Sequence, residues 1–246
     1  MTVSSEEPVL DAGPRPPRPR SGAALGPIAV RPSRAREVLD VVRASIINGD
    51  LLPGSLHSVA ELAESLGVSR TPVREALIEL ASRGMVRFER NRGVRILQTS
   101  IHDLEEIFEI RQMLEVPAAR RAAARMTPAE VRSLRSRLEA MDRAAAADDE
   151  SRLWVHDRAF HYSLLLASGN RRLAEYVDTL RDMVLVRGVT TAGRGRTLAA
   201  IVAEHRAILE LVEAGDADGA ADALRSHIGR TFELLVAQEQ DPAEPA

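Results

Sequence analysis

The chain has 246 residues, of which 45% are hydrophobic, with 33 arginines, no lysine and 36 acidic side chains for a formal net charge of −3. The absence of cysteine excludes a disulfide framework and a thiolate metal site, so any metal must take His and carboxylate ligands. So small a charge argues against indiscriminate polyanion binding. No apolar run approaches the roughly 18 residues of a membrane-spanning helix and no apolar signal core opens the chain, which predicts a cytoplasmic protein of two domains with no membrane partner.

Residues 1–32 are rich in Pro, Gly, Ser and Arg and show neither helical nor strand period, which predicts a disordered tail. Its PRPPRPR run, Pro14 to Arg20, reads as solubilising, with a flexible arm brushing DNA phosphates as the alternative. An amphipathic helix is predicted from Ser33 or Arg34, with Val38, Val41, Val42, Ile46 and Ile47 on its apolar face and Gly49 and the LLPG run ending it. Ser58 then begins a short helix, Gly67 permits a tight turn, and Ser69 is placed to cap a second helix. On that second helix Val73, Ala76, Leu77 and Leu80 recur at i, i+3, i+4 and i+7, a stripe committed to a core. Arg70, Thr71 and Arg74 lie on its other face, near the end that enters the major groove in a helix-turn-helix. A solvated face is the plainer reading of two arginines, but these follow a turn and cap and precede an Arg-flanked hairpin, Met85 to Leu97, turning near Asn91 to Gly93. Residues 1–99 carry 14 Arg and 11 acidic side chains, a balance of +3, and the remainder a balance of −6. The basic half is the half with the helix-turn-helix.

The run LGVSRTPVREAL, preceded by LLPGS and followed by RGMVRFERNRGVRI, resembles the winged-helix DNA-binding domain of GntR-type transcription regulators. The resemblance implies double-stranded operator DNA as a partner. In it Arg70 and Arg74 reach phosphate or base edges with Thr71 beside them, and Asn91, Arg92 and Gly93 form the tip of the wing. Ala60 departs from the pattern, standing where some relatives carry a base-reading Arg, so that contact is not carried over. This domain is expected over residues 33–98.

From Ser100 onward strand signals cease. Ser100 with Asp103, and Thr127 with Pro128 and Glu130, resemble helix-start boxes. Further breaks fall at Asp148–Ser151, Gly169–Asn170, Thr190–Gly195 and Gly215–Asp216, leaving about six helices. An all-helical domain is expected over residues 99–238, large enough for a bundle with an internal pocket, and residues 239–246 as a disordered tail. The fold class is therefore mainly α, with β structure in the hairpin wing. Asp157 and His161, four apart, project from one helix face, and Trp154 shares it. Alone, such a pair fits a structural hydrogen bond as readily as a metal site. His205 and His227 stand on two later amphipathic helices, so three histidines and one carboxylate can converge in the core, a set suited to Zn²⁺ or Ni²⁺. His57, His102 and His156 lack this setting and read as surface residues.

The runs EIFEIRQMLEVPAARRAAA, DRAFHYSLLLASGN, EHRAILELVEAGDADGAADAL and the final SHI resemble the helical effector domain of the FadR-type branch of GntR regulators, the FCD domain. Metal-binding members use an Asp, a His four residues later, and one His from each of the last two helices. Asp157, His161, His205 and His227 match those positions, and in such members the ion helps hold a small carboxylate effector. Arg111 matches an Arg that points toward the pocket; its plainer role is a bundle salt bridge with Glu115. Arg187, Arg194 and Arg196, flanking a Gly-rich segment, are weaker candidates for an anion contact. The expected function is repression by a homodimer on a near-palindromic operator, relieved by a carboxylate metabolite. One alternative keeps the DNA binding with a metal-free pocket. The other is an enzyme whose ion activates water, disfavoured because no second convergent carboxylate or nucleophile motif appears.

Overall fold

The computed structural model describes residues 33–185, 191–192 and 195–240. The expectations for residues 1–32, for Arg187 and Arg194, and for residues 241–246 lie outside the described residues. Helix α1 (Arg34–Ile47) is capped by Ser33, whose side chain accepts from the Arg36 N–H. Its buried stripe is Val38, Leu39, Val42 and Ile46, whereas Val41, expected in the core, is 49% exposed. The four buried residues span a single arc of the helical wheel; Val41 falls beyond its edge, while Ile47, half-buried, still packs against this core as expected.

A two-residue strand β1 (Leu56–His57), unforeseen in the sequence, precedes α2 (Val59–Ser65) and α3 (Arg70–Ser82), which are followed by β2 (Val86–Glu89) and β3 (Gly93–Ile96). The sheet has the order β1-β3-β2, antiparallel throughout, with His57 opposite Val94 and Glu89 opposite Gly93. Ser58 and Glu61 form a reciprocal capping box at α2. Ser69 adopts the extended conformation of a cap, but its side chain makes no capping bond, contrary to expectation. The turn is closed by backbone instead: Gly67, at φ +63°, donates to Glu64 O, and Val68 N–H donates to Ala63 O. Val73, Ala76, Leu77 and Leu80 are buried as expected, against α1 and the inner faces of β2 and β3. Gly93 has φ +122°, and a Cβ there would lie 2.2 Å from the His57 carbonyl oxygen, so the approach of β1 to β3 requires glycine.

Among the described residues six further helices follow: α4 (Ile101–Ala123), α5 (Pro128–Ala146), α6 (Glu150–Ala167), α7 (Arg171–Leu185), α8 (Leu198–Glu213) and α9 (Ala217–Gln240). Ser100 with Asp103 and Thr127 with Glu130 form complete capping boxes at α4 and α5. Helix α9 runs two residues into the stretch expected as a tail, because the helix-breaking Pro242 comes only after them in the sequence. Helix α4 packs along α9, where the Phe108 and Phe232 ring centroids are 5.4 Å apart, and α5 contacts both α6 and α8. Leu104, Leu134, Met141, Phe160, Ile201 and Leu224 are among the side chains that close the bundle core. No described helix is long and apolar enough to cross a membrane.

Candidate functional site

Two surfaces carry the sequence-derived candidates. On the first, Arg70, Thr71 and Arg74 are all exposed at the start of α3, opposite its buried stripe. The wing turns through Asn91, whose φ of +58° is the left-handed conformation that Asn tolerates. Arg92 is 63% exposed in its side chain and pairs with Glu89 at 3.0 Å. Gly93 lies at the start of β3, where its role is the backbone approach described above. Exposed Arg87 and Arg90 add two basic side chains to this surface.

The second lies inside the bundle. Asp157 and His161 on α6, His205 on α8 and His227 on α9 are all buried, and one donor atom from each lies within 4.8 Å of the others. The stretch from Leu153 to His161 explains the α6 contribution: Leu153, Asp157, Phe160 and His161 share the inward face at helical spacing. Phe160 stacks edge-on against His205, with centroids 5.0 Å apart, and separates the cluster from the apolar core. Trp154, expected on this face, is partly buried against the core and donates its indole N–H to Glu150 at 2.8 Å.

Hydrogen bonding fixes which atoms face inward. His205 Nδ1 lies 2.8 Å from the Ile201 carbonyl, which can only accept, so Nδ1 carries a proton and Nε2 is the nitrogen turned toward the cluster. That Nε2 lies 3.0 Å from Asp157 Oδ1 and 3.1 Å from His161 Nε2. His227 repeats the pattern, its Nδ1 held 2.8 Å from Glu204 Oε2. His161 Nδ1 and Glu115 Oε2 are buried without hydrogen-bond partners and face each other at 3.8 Å. Three imidazoles and a carboxylate thus converge while His205 and His227 are held from outside by a carbonyl and a carboxylate, the outer arrangement that orients metal-binding imidazoles. The donor set fits a divalent ion with nitrogen and oxygen preference, requiring only slight closure to bring ligands to the usual 2 Å or so from a common centre.

Arg111 is buried, and its Nε donates to Glu115 Oε1 at 2.6 Å with the guanidinium 4.8 Å from the Phe108 ring centre. Its salt bridge is therefore real, and it belongs to the site, because Glu115 backs His161. Arg196 is not a loose loop arginine. It is buried, bonds Thr191 and Thr231, and holds Glu204 Oε2 at 2.5 Å, so it anchors the carboxylate behind His227. The sequence had not flagged Arg181, which donates to Asp157 Oδ2, nor Glu204. Both are charged residues on amphipathic helices, which spacing alone does not distinguish from a solvated face.

Burial alone would raise the Asp157 carboxyl, but Arg181, the His205 contact and the His161 ring together hold it well below the usual range. Burial, with Arg181 reinforcing it, pushes His161 well below the ordinary imidazole value. Burial lowers His227 to about 4 against the opposing pull of Glu204. Below pH 6.5 the unfolded chain therefore takes up a proton that folded His227 refuses until about pH 4. The stability His227 contributes in metal-free protein is present above pH 6.5 and is lost as pH falls toward 4, by about 3 kcal/mol. Urea denaturation of chelator-treated protein across that interval should show the decline; a flat profile would contradict the burial of His227 in its neutral form.

A winged helix whose α3 exposes arginines, followed among the described residues by six helices around a polar cluster, is the architecture of a DNA-binding transcription regulator. The model of the gntR family of bacterial regulatory proteins matches residues 34–96, and that of the FCD domain matches residues 106–230. The chain belongs to the GntR family and carries an FCD domain, a family of regulators and not of enzymes. It is 32% identical over 198 residues to the probable D-xylose utilization operon transcriptional repressor of Paenarthrobacter nicotinovorans, covering 80% of this chain and 87% of that one. It is 29% identical over 211 residues to the HTH-type transcriptional regulator LutR of Bacillus subtilis, covering 77% and 95%. Among solved structures, E. coli McbR/YncC superimposes with a TM-score of 0.74 at 25% identity, covering 84% of this chain and 99% of that chain.

Proposed function

We propose that this regulator acts in the cytoplasm as a homodimeric repressor whose grip on a near-palindromic operator is set by a small carboxylate bound beside a divalent ion in the bundle. Arg70, Thr71 and Arg74 read the major groove, and Asn91 and Arg92, with the Gly93 backbone, follow the flanking phosphates. Asp157, His161, His205 and His227 hold the ion, Zn²⁺ or Ni²⁺ by donor type. The bound ion supplies a Lewis-acidic centre for a carboxylate oxygen. Arg111 borders this cluster through Glu115 and supplies cationic character toward the anion.

The observation that carries the metal is the convergence of one possible ligand atom from each of four buried residues, two of the imidazoles being held from outside at Nδ1. Charge balance carries the anion. Arg111 is paired with Glu115, Arg181 with Asp157 and Arg196 with Glu204, so each pair is neutral. A divalent ion adds two uncompensated positive charges to a buried site, which an anionic ligand offsets. The name of the Paenarthrobacter relative, an operon repressor, supports the repressing sense. The test is operator affinity of the full chain at fixed salt, metal-loaded and metal-stripped, across a panel of small carboxylic acids. One acid should weaken binding only when the metal is present; indifference to every acid in both states would refute the proposal.

A further inference from the structure

We propose that α7 couples the bundle site to the DNA-binding unit through its Arg181–Asp182 pair, one residue holding the ligand cluster and the next holding the winged helix. This coupling presupposes the ligand-binding role proposed above. Two adjacent residues on α6, Asp157 and Arg158, meet two adjacent residues on α7, Arg181 and Asp182, in crossed pairs: Arg181 donates to Asp157, and Arg158 donates to Asp182. Successive helical residues point about 100° apart, so each helix offers one member to the cluster and the other to the opposite flank.

On that flank Asp182 is fully buried and receives the winged helix. Arg43 of α1 donates to its Oδ1 from Nε at 2.9 Å and from Nη2 at 2.6 Å, and Arg83 donates to its Oδ2 at 3.2 Å. Arg83 is the C-cap of α3, the helix that carries Arg70 and Arg74 at its other end. Among the described residues, both ion pairs that cross from winged helix to bundle end on this one carboxylate. The next residue completes the seat: the Met183 carbonyl accepts from Thr99 Oγ1 at 2.6 Å, and its side chain sits where Gly84 lacks one. Beside this latch a cleft of about 560 Å³ separates Glu79, Ser82 and Arg83 from Arg158, Tyr162 and Asp178. Among the described residues, the polar contacts between winged helix and bundle thus gather around Asp182 and Met183, beside an open cleft.

The two oxygens of Asp157 give the latch its input. Oδ1 faces the histidines and Oδ2 takes Arg181. A cation held by the cluster would draw on the Asp157 charge that holds Arg181, and an anion beside it would offer the guanidinium another partner. Either event biases Arg181, and Asp182, the next residue on the same rigid helix, shifts its grip on Arg43 and Arg83. Ligand and operator then favour different poses of one element, as a coupling free energy requires.

The test uses the full chain, whose lack of cysteine allows spin labels at Arg90→Cys on the wing and Glu210→Cys on α8, with labelled chains diluted into unlabelled protein. The probe is Zn²⁺ alone, with its affinity measured by calorimetry on the same samples. In the parent, Zn²⁺ should shift the distance distribution. In Arg43→Gln, which leaves the bundle intact, Zn²⁺ affinity should stay within about twofold while the shift disappears. A shift in Arg43→Gln equal to the parent's overturns the proposal, as does Zn²⁺ binding to the parent without any shift. If the parent binds no Zn²⁺, the metal reading fails, and metal-free Arg181→Gln decides the coupling by itself. An altered distribution there supports it and an unchanged one overturns it.

Discussion

Replacing Arg70 and Arg74 together by alanine is expected to lower specific operator affinity about 1,000-fold without changing the melting temperature. Both side chains are exposed and take no part in the core built by Val73, Ala76, Leu77 and Leu80, so folding does not depend on them. Two guanidiniums per recognition helix, presented twice by the proposed dimer, contribute about 1 kcal/mol each at the low end of measured contacts, hence about 4 kcal/mol in sum. The salt dependence separates phosphate binding from base reading. An arginine that neutralises a phosphate should, when removed, lower the slope of log affinity against log salt by about 1, whereas removing one that reads a base relaxes specificity at a single position. Retained sequence-specific binding by the double variant would remove α3 as the reading element.

His205→Ala should weaken Zn²⁺ binding by at least about 100-fold, because loss of an outer partner alone costs about 10- to 100-fold. His205 is the strongest single choice, since its Nε2 lies closest to both Asp157 and His161. Glu204→Gln makes the graded comparison. It weakens the carboxylate behind His227 without removing a ligand, so its effect should fall within that 10- to 100-fold range. In both variants operator binding without effector should persist while the response to carboxylate declines in the same order. Equal Zn²⁺ affinity in parent and His205→Ala would place the ion elsewhere and leave the cluster as a hydrogen-bonded core.

Much of this was legible in the residues because it rests on local rules. The stripe on α3, the capping boxes at Ser100 and Thr127, and the breaks near Gly169 and Gly215 each follow from a few neighbouring positions, and all appear where expected. The Asp157–His161 spacing was likewise local, His205 and His227 stood out as histidines on two later amphipathic helices, and the resemblance to metal-binding relatives joined the four into one set. What could not be read was partner choice among charged residues. Arg158, Arg181, Asp182 and Glu204 sit on helices whose sequences are studded with Arg and Glu, and only the packing of α6, α7, α8 and α9 decides which face inward. Strand β1 escaped for a different reason: two residues are too few to show alternation, and its existence depends on pairing with β3 across an intervening helix-turn-helix. Val41 illustrates the limit of an apolar list, since a hydrophobic residue one position outside the buried arc of α1 is left to solvent.

The measurement that tests the central claim most directly is titration of the full chain against DNA from beside its own gene, at one salt concentration, with bound metal quantified in every sample and small carboxylic acids added singly. One acid is expected to weaken specific binding by at least about fivefold, the lower end of typical allosteric coupling, and this sensitivity should vanish when the metal is stripped and return when Zn²⁺ or Ni²⁺ is restored. Specific binding that ignores every acid, or that responds equally with and without metal, would contradict it.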